Sequence, residues 1–206
     1  GVPLSKALED ESLIAFALND QPIPEIHGAP LRMICAGWPG SVSGKWLAEI
    51  IVRDRVHDGA KMGGKSYRVP CKSVPPGTKV ADEAMCIIES MPVKSLITYP
   101  RSGETLRAGI RQVVRGHAWA GDLKVTDVRV SLDYGATWRS AELAAPANRL
   151  AWQNWRTEIS LPRAGYYELW AVATDEKGHS QPMLVPGWNP KGYLNNASHR
   201  IALHGV

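Results

Sequence analysis

The chain has 206 residues, enough to bury a proper core in one large domain or two small ones. Its net charge of +4, from 24 Lys and Arg against 20 Asp and Glu, is too weak and too dispersed to argue for nucleic acid, though it suits a small anionic substrate. No apolar run approaches a membrane span, the chain does not open with a signal peptide, and three cysteines allow at most one internal disulfide.

Residues 3–10 read as a short helix with Leu4, Ala7 and Leu8 on one face. The apolar run 13–18 predicts a buried strand, which Asn19-Asp20, Pro22 and Pro24 terminate. Residues 31–36 form a second such run, closed by Gly37, Pro39 and Gly40, and residues 47–52 are again strand-like. His27 and Arg32 stand at the front of the 31–36 run, and Ser43-Gly44-Lys45-Trp46-Leu47 follows it. Cationic side chains with backbone N–H groups in a Gly/Ser loop suit a phosphate or another compact anion. For any one of these residues alone, a solvated surface turn is the competing reading.

Residues 62–70 make a glycine-hinged loop that ends at Pro70, and 71–83, with Pro75-Pro76-Gly77, read as a linker between modules. Beyond residue 89 the pattern changes to short strands separated by regular turns, at 93–99, 106–118, 125–132, 152–161 and 166–174. Val128, Val130 and Leu132 alternate with Arg129 and Ser131, which gives one buried and one wet face. This spacing predicts an antiparallel sandwich of immunoglobulin type, without the Cys…Trp…Cys core of antibody domains. Ser131-Leu-Asp133-Tyr-Gly135-Ala-Thr137-Trp138 is a hairpin in which Ser, Asp and Thr bond the turn backbone and Trp packs beneath it. The same string recurs once per blade in sialidase-type propellers, but it occurs once here, so it is read as structural rather than glycan-binding.

Two strings carry a family resemblance. His27-Gly-Ala-Pro-Leu-Arg32, then the glycine-rich loop, then Lys45-Trp-Leu, resembles the sulfite oxidase family of molybdenum–pterin enzymes. Near the C-terminus, Trp188-Asn-Pro-Lys191-Gly-Tyr-Leu-Asn-Asn-Ala-Ser-His199-Arg200 is similar to the end of that family's dimerisation domain. The resemblance implies a mainly β chain: residues 1–78 as the C-terminal part of a mixed α+β molybdopterin-binding domain, and 79–206 as an immunoglobulin-like dimerisation domain. It implies that His27 and Arg32 contact the pterin and its phosphate, with Ser43, Gly44 and Lys45 around the phosphate end.

Tyr67 is the nearest match to the family's active-site tyrosine, one position out by a gapless count. A strand-edge tyrosine on the surface is the alternative. Lys191 replaces the family arginine that reaches the substrate anion, which keeps the charge but loses planar bidentate pairing. His199 and Arg200 are assigned to packing and strand closure.

The implied function is part of a molybdenum-cofactor sulfite dehydrogenase, oxidising sulfite to sulfate and passing electrons to a cytochrome c-type acceptor. A sulfane-sulfur dehydrogenase and the nitrate-reducing relatives are alternatives within the class, and a non-catalytic dimerisation module lies outside it. Homodimerisation through the sandwich and a periplasmic location are likewise implied. No haem-attachment C-x-x-C-H occurs, which places any haem on another chain. The family holds molybdenum with one cysteine, and Cys35, Cys71 and Cys86 all fall at the wrong places for it. That ligand is expected upstream of Gly1, so no metal ligand is assigned to this chain. Cys71 and Cys86 either pair or are two unrelated thiols.

Overall fold

The computed structural model describes residues 1–56, 63, 65–189 and 191–206. The chain divides into two compact units: residues Gly1–Met91 with Gly187–Tyr193, and Pro92–Pro186 with Leu194–Val206. The expected boundary was at 78/79. The compact units part at 91/92, and residues 187–193, which run into the C-terminal motif, group with the first unit.

In the first unit the helix is a single turn, Leu4–Ala7. Strand β1 (Ser12–Ala15) is followed by β2 (Ala17–Leu18) and β3 (Gln21–Pro22), which pair with each other as a small ribbon. Strand β4 (Arg32–Cys35) pairs antiparallel with β1, matching Ser12 to Cys35 and Ala15 to Arg32. The run at 13–18 is thus extended, as its composition predicts, but it is not buried: Leu13, Ile14 and Leu18 are exposed, and Phe16 is 72% exposed. The β1–β4 ladder is two strands wide, so it leaves these side chains uncovered.

The strand expected at 47–52 does not form. Leu47 N–H donates to the Leu31 carbonyl at 2.8 Å, and the chain then runs on without a ladder. Residues 57–62, 64 and 190 lie outside the described residues, and with them the start of the loop at 62–70.

Strands β5 (Arg68–Pro70) and β6 (Met85–Ile87) pair antiparallel, and a Cys71–Cys86 disulfide closes the end of this hairpin. Residues 71–83, expected as a linker between modules, are therefore the connection inside a cross-linked hairpin. The prolines keep it out of regular structure, as read, but the disulfide ties its ends together.

The second unit is the sandwich. Strands β7 (Lys94–Tyr99), β8 (Glu104–Leu106), β9 (Arg111–Trp119) and β10 (Val125–Ser131) are followed by β11 (Arg139–Ser140) and β12 (Glu142–Leu143). Strands β13 (Gln153–Ser160), β14 (Gly165–Asp175) and β15 (His199–Gly205) complete it. One sheet has the order β11-β10-β14-β15-β8 and the other β12-β13-β9-β7. Pairing is antiparallel except between β15 and β8. The run expected as one strand at 106–118 is two, because Gly109 takes φ +73° between β8 and β9.

Alternation decides the core, with one departure: Ser131, expected on the wet face, is 3% exposed because its hydroxyl turns into the hairpin and bonds Asp133 and the Gly135 N–H. Val128 and Val130 from β10, Leu169, Ala171 and Ala173 from β14, and Val114 and Trp155 from the facing sheet are all sealed from solvent. Gly116 lies where this packing is tightest: a Cβ there would sit 2.1 Å from the Leu96 carbonyl oxygen and 2.2 Å from the Trp155 ring. Only glycine fits.

The hairpin after β10 behaves as its residues predict. Asp133 Oδ1 accepts the Ser131 hydroxyl at 2.7 Å and the Thr137 N–H at 2.8 Å, and the Gly135 N–H donates to Ser131 Oγ at 2.9 Å. The Thr137 hydroxyl, then the Thr137 N–H and the Ser131 hydroxyl, all donated to the Asp133 carboxylate, hold it down at a pKa of about 2. Trp138 lies under Gly135, within 3.3 Å of where a Cβ would stand. It is a structural turn.

Candidate anion and cofactor site

The segment around His27 is built by two short pieces of chain that hold each other. Pro24 precedes a 3-10 turn, Glu25–His27, which ends because Gly28 adopts φ +113° in the left-handed region. A side chain on Gly28 would meet Lys45 Cβ at 2.9 Å, so glycine also permits the close approach of the second piece. That piece, residues 43–47, docks by backbone and side-chain donors. Met33 N–H donates to the Gly44 carbonyl at 2.9 Å and Trp46 N–H to the Gly28 carbonyl at 3.3 Å. Trp46 Nε1 reaches the Glu25 carbonyl at 2.9 Å, and Lys45 Nζ the Ile26 carbonyl, also at 2.9 Å. The ammonium of Lys45 also lies over the Trp46 ring, 4.6 Å from its centre.

Four of the five residues assigned to the cofactor thus have a defined place. Ser43 Oγ accepts the Cys35 N–H at 3.0 Å, continuing the β4 edge, and its own hydroxyl proton is left to be donated. Gly44 uses its carbonyl on β4. Lys45 is an exposed residue. Arg32 opens β4 and sends Nη1 to the His27 carbonyl at 3.3 Å, while its Nε is buried with no hydrogen-bond partner. A buried guanidinium N–H without an acceptor costs on the order of 1–3 kcal/mol until an anion or water supplies one. His27 is exposed at the end of its turn, held through its backbone rather than its ring.

Tyr67 immediately precedes β5 and takes φ +53°; its carbonyl accepts the Ile88 N–H at 3.4 Å. The ring is 38% exposed and stacks on Tyr193, with centroids 5.9 Å apart and planes 26° from parallel. Tyr193 belongs to the C-terminal loop, as does Lys191. In that loop Asn189 Oδ1 accepts the Lys191 N–H at 3.1 Å, and Asn189 Nδ2 donates to the Tyr193 carbonyl at 2.6 Å. Trp188 N–H anchors the loop to the Val74 carbonyl at 2.9 Å. The structure therefore brings Tyr67 and the loop of Lys191 together in the unit that holds the His27–Lys45 segment.

The sequence motifs include Asn189 and Tyr193 as neighbours without a role. Nothing at the sequence level pairs Tyr193 with Tyr67, because their contact is tertiary.

No cluster of His, Cys, Asp or Glu able to hold a metal occurs among the described residues. Cys35 is 2% exposed, and the other two cysteines are bonded to each other. The available chemistry is cationic and hydrogen-bond donating. An unpartnered Arg32 N–H, the Lys45 ammonium and the Ser43 hydroxyl fit the phosphate and polar edge of a pterin. They do not fit a directly ligated metal.

Comparison with known proteins places the chain in a family. The pattern of the Mo-co oxidoreductase dimerisation domain matches residues 85–206, and that of the oxidoreductase molybdopterin binding domain matches residues 1–61. Mitochondrial sulfite oxidase of Homo sapiens is 37% identical over 213 residues, covering 98% of this chain and 38% of that protein. The inducible NADH nitrate reductase 1 of Glycine max is 30% identical over 211 residues, covering 92% of this chain and 23% of that protein. Among solved structures, the sulfane dehydrogenase SoxCD from Paracoccus pantotrophus superposes with a TM-score of 0.78 at 26% identity, covering 97% of this chain and 50% of that one. The chain spans less than half the length of the curated relatives it matches. With the dimerisation-domain pattern spanning more than half of its residues, the chain belongs to the sulfite oxidase family of molybdopterin oxidoreductases.

Proposed function

We propose that this chain is part of a molybdenum-cofactor oxidoreductase that oxidises sulfite to sulfate, the two electrons passing to a cytochrome c-type acceptor. The observation that carries the reading is the grouping of the Lys191 loop with Tyr67 and the His27–Lys45 segment in one unit. The pterin-bound metal supplies oxygen-atom transfer and accepts the electron pair; the chain supplies binding and electrostatics. Arg32, Ser43, Gly44 and Lys45 hold the pterin phosphate, and His27 sits at the pterin edge. The Tyr67 hydroxyl donates a hydrogen bond to a substrate oxygen, oriented by its stack on Tyr193. Lys191 offsets the charge of the oxyanion as a single ammonium.

A sulfane-sulfur substrate is the second reading. It is favoured by the superposition on a sulfane dehydrogenase and by lysine at position 191, since an ammonium grips a planar or pyramidal oxyanion less specifically than a guanidinium does. The bonded Cys71–Cys86 pair suits an oxidising compartment such as the periplasm. The sandwich is the proposed homodimer contact, in line with the family's dimerisation domain.

The test is made on the full-length protein. Molybdenum per chain is measured first, then cytochrome c reduction with sulfite and with a thiosulfate-derived sulfane. Stoichiometric metal with sulfite-dependent reduction is expected. Reduction with the sulfane alone would move the assignment to the second reading, and absence of metal would leave a non-catalytic module. In the same assay Lys191→Ala should raise the KM for sulfite about tenfold or more, the scale of one lost charge-assisted contact.

A further inference from the structure

We infer that the Cys71–Cys86 disulfide positions the Lys191 loop, by fixing the stretch of chain on which that loop is seated. The bridge and the loop belong to the same compact unit, residues Gly1–Met91 with Gly187–Tyr193. The loop touches the β5–β6 hairpin and its connection twice, on either side of Cys71. At its start, the Trp188 N–H donates to the Val74 carbonyl at 2.9 Å. Gly187 lies so close to Ser73 that a Cβ there would sit 2.6 Å from the Ser73 hydroxyl oxygen. At its end, Tyr193 stacks on Tyr67. Between these two seats Asn189 closes the turn: its Oδ1 accepts the Lys191 N–H and its carbonyl the Gly192 N–H, both at 3.1 Å.

The two seats are held in different ways. Tyr67 adjoins the β5–β6 ladder, where its carbonyl takes the Ile88 N–H at 3.4 Å, so strand pairing fixes it. Ser73 and Val74 lie beyond that ladder, whose register ends at Pro70 and Met85. The Cys71 N–H adds a bond to the Ala84 carbonyl at 2.9 Å, and residues 72–81 then belong to no helix or strand. Pro75 and Pro76 have no N–H with which to extend the pairing. The S–S bond is thus the covalent tie between β6 and the start of this stretch, two residues ahead of Ser73. A loop seated on tethered chain has less freedom, and a charged group on it is in place before substrate arrives.

Since this role rests on Lys191 serving the substrate anion, the experiment reads the loop and the chemistry separately. In the full-length protein, Cys71→Ser with Cys86→Ser is compared with wild type by amide hydrogen exchange, molybdenum content and sulfite kinetics. Folded wild type treated with a dithiol is the second arm, read by exchange. The dithiol gives the exposed bridge two electrons and two protons and is itself closed to a disulfide.

Exchange at Trp188 and Gly192 should quicken about tenfold or more in both arms and stay insensitive to low urea, the mark of a local opening. Molybdenum should stay bound. The KM for sulfite should rise several-fold, short of the rise in Lys191→Ala, with kcat nearly unchanged. Lys191→Ala added to the double variant should cost less than it does alone. Gly187→Ala, which keeps the bridge and crowds Ser73, should raise the KM as well. Unchanged exchange at Trp188 and Gly192 in both arms would overturn the inference. So would an increase that grows with urea while the KM stays fixed, because the bridge would then serve only the stability of the unit. If wild type fails to oxidise sulfite, the functional reading fails by itself, and the exchange result still decides whether the bridge seats the loop.

Discussion

Tyr67 and Tyr193, far apart in the chain, stack with their ring centres 5.9 Å apart and their planes inclined by 26°. This contact joins the residue that precedes β5 to the loop that carries Lys191. On the proposed function, the Tyr67 hydroxyl is the group that serves the substrate. Tyr67→Phe keeps the stack and removes only that hydroxyl. Its kcat/KM should fall about tenfold or more while molybdenum content and Tm stay at wild-type values. Tyr193→Leu removes the stack but keeps the hydroxyl; stability should drop by about 0.5–1.5 kcal/mol, measured by urea unfolding.

On the proposed function, Arg32 and Lys45 should make separable contributions to cofactor retention. Arg32 has a buried Nε with no partner, whereas Lys45 already donates to the Ile26 carbonyl. Arg32→Ala should therefore lose the larger share of bound molybdenum, and Lys45→Ala a smaller share, by elemental analysis of the purified full-length protein. Full retention in both variants would remove them from the site.

The Cys71–Cys86 bridge closes a loop of sequence separation 15. Cross-linking a loop of that size stabilises by about 3 kcal/mol through the unfolded chain. Cys71→Ser with Cys86→Ser should lose a comparable amount in the first unit, seen as a lower urea midpoint. Reductant should shift the wild-type protein in the same direction and leave the double variant unmoved.

Acid should weaken the sandwich in two separate windows. His199 Nδ1 accepts the Ile97 N–H at 3.0 Å, so the fold needs the neutral ring. Burial first, and then the Lys94 ammonium, hold its pKa below the ordinary 6.5. This contribution is full above the unfolded pKa and is lost as pH falls through the lowered folded value. The urea midpoint should therefore decline below pH 6.5, and His199→Asn should flatten that slope. Asp133, held at about 2 by hydrogen bonds from Thr137 and Ser131, behaves the same way further down. Its contribution is full above the ordinary carboxylate pKa near 3.8 and is lost only as pH falls through about 2. A carboxyl titration followed by NMR checks it.

Much of the sandwich was legible in the residues. Alternation in 125–132 and the turn string at 131–138 placed β10 and its hairpin almost to the residue, since period-two burial and side-chain-to-turn bonds are local properties. The short strands β11 and β12 escaped because two residues carry no periodicity. Residues 47–52 have the composition of a strand but found no ladder, and pairing is not a local property. The linker at 71–83 failed for a related reason: its prolines describe backbone shape, whereas the disulfide describes where its ends go.

By itself the sequence determined which side chains could bind an anion and in what order they lie along the chain. His27, Arg32, Ser43 and Lys45 are cationic or hydrogen-bonding groups set around a strand and a glycine-rich loop, and that much is chemistry of residue type. Tertiary structure alone decided what they meet. It left the Nε of Arg32 without an acceptor, stacked Tyr67 on Tyr193, and grouped the Lys191 loop with the first unit. Contacts between distant segments depend on how whole layers pack, and no window of neighbouring residues contains that information.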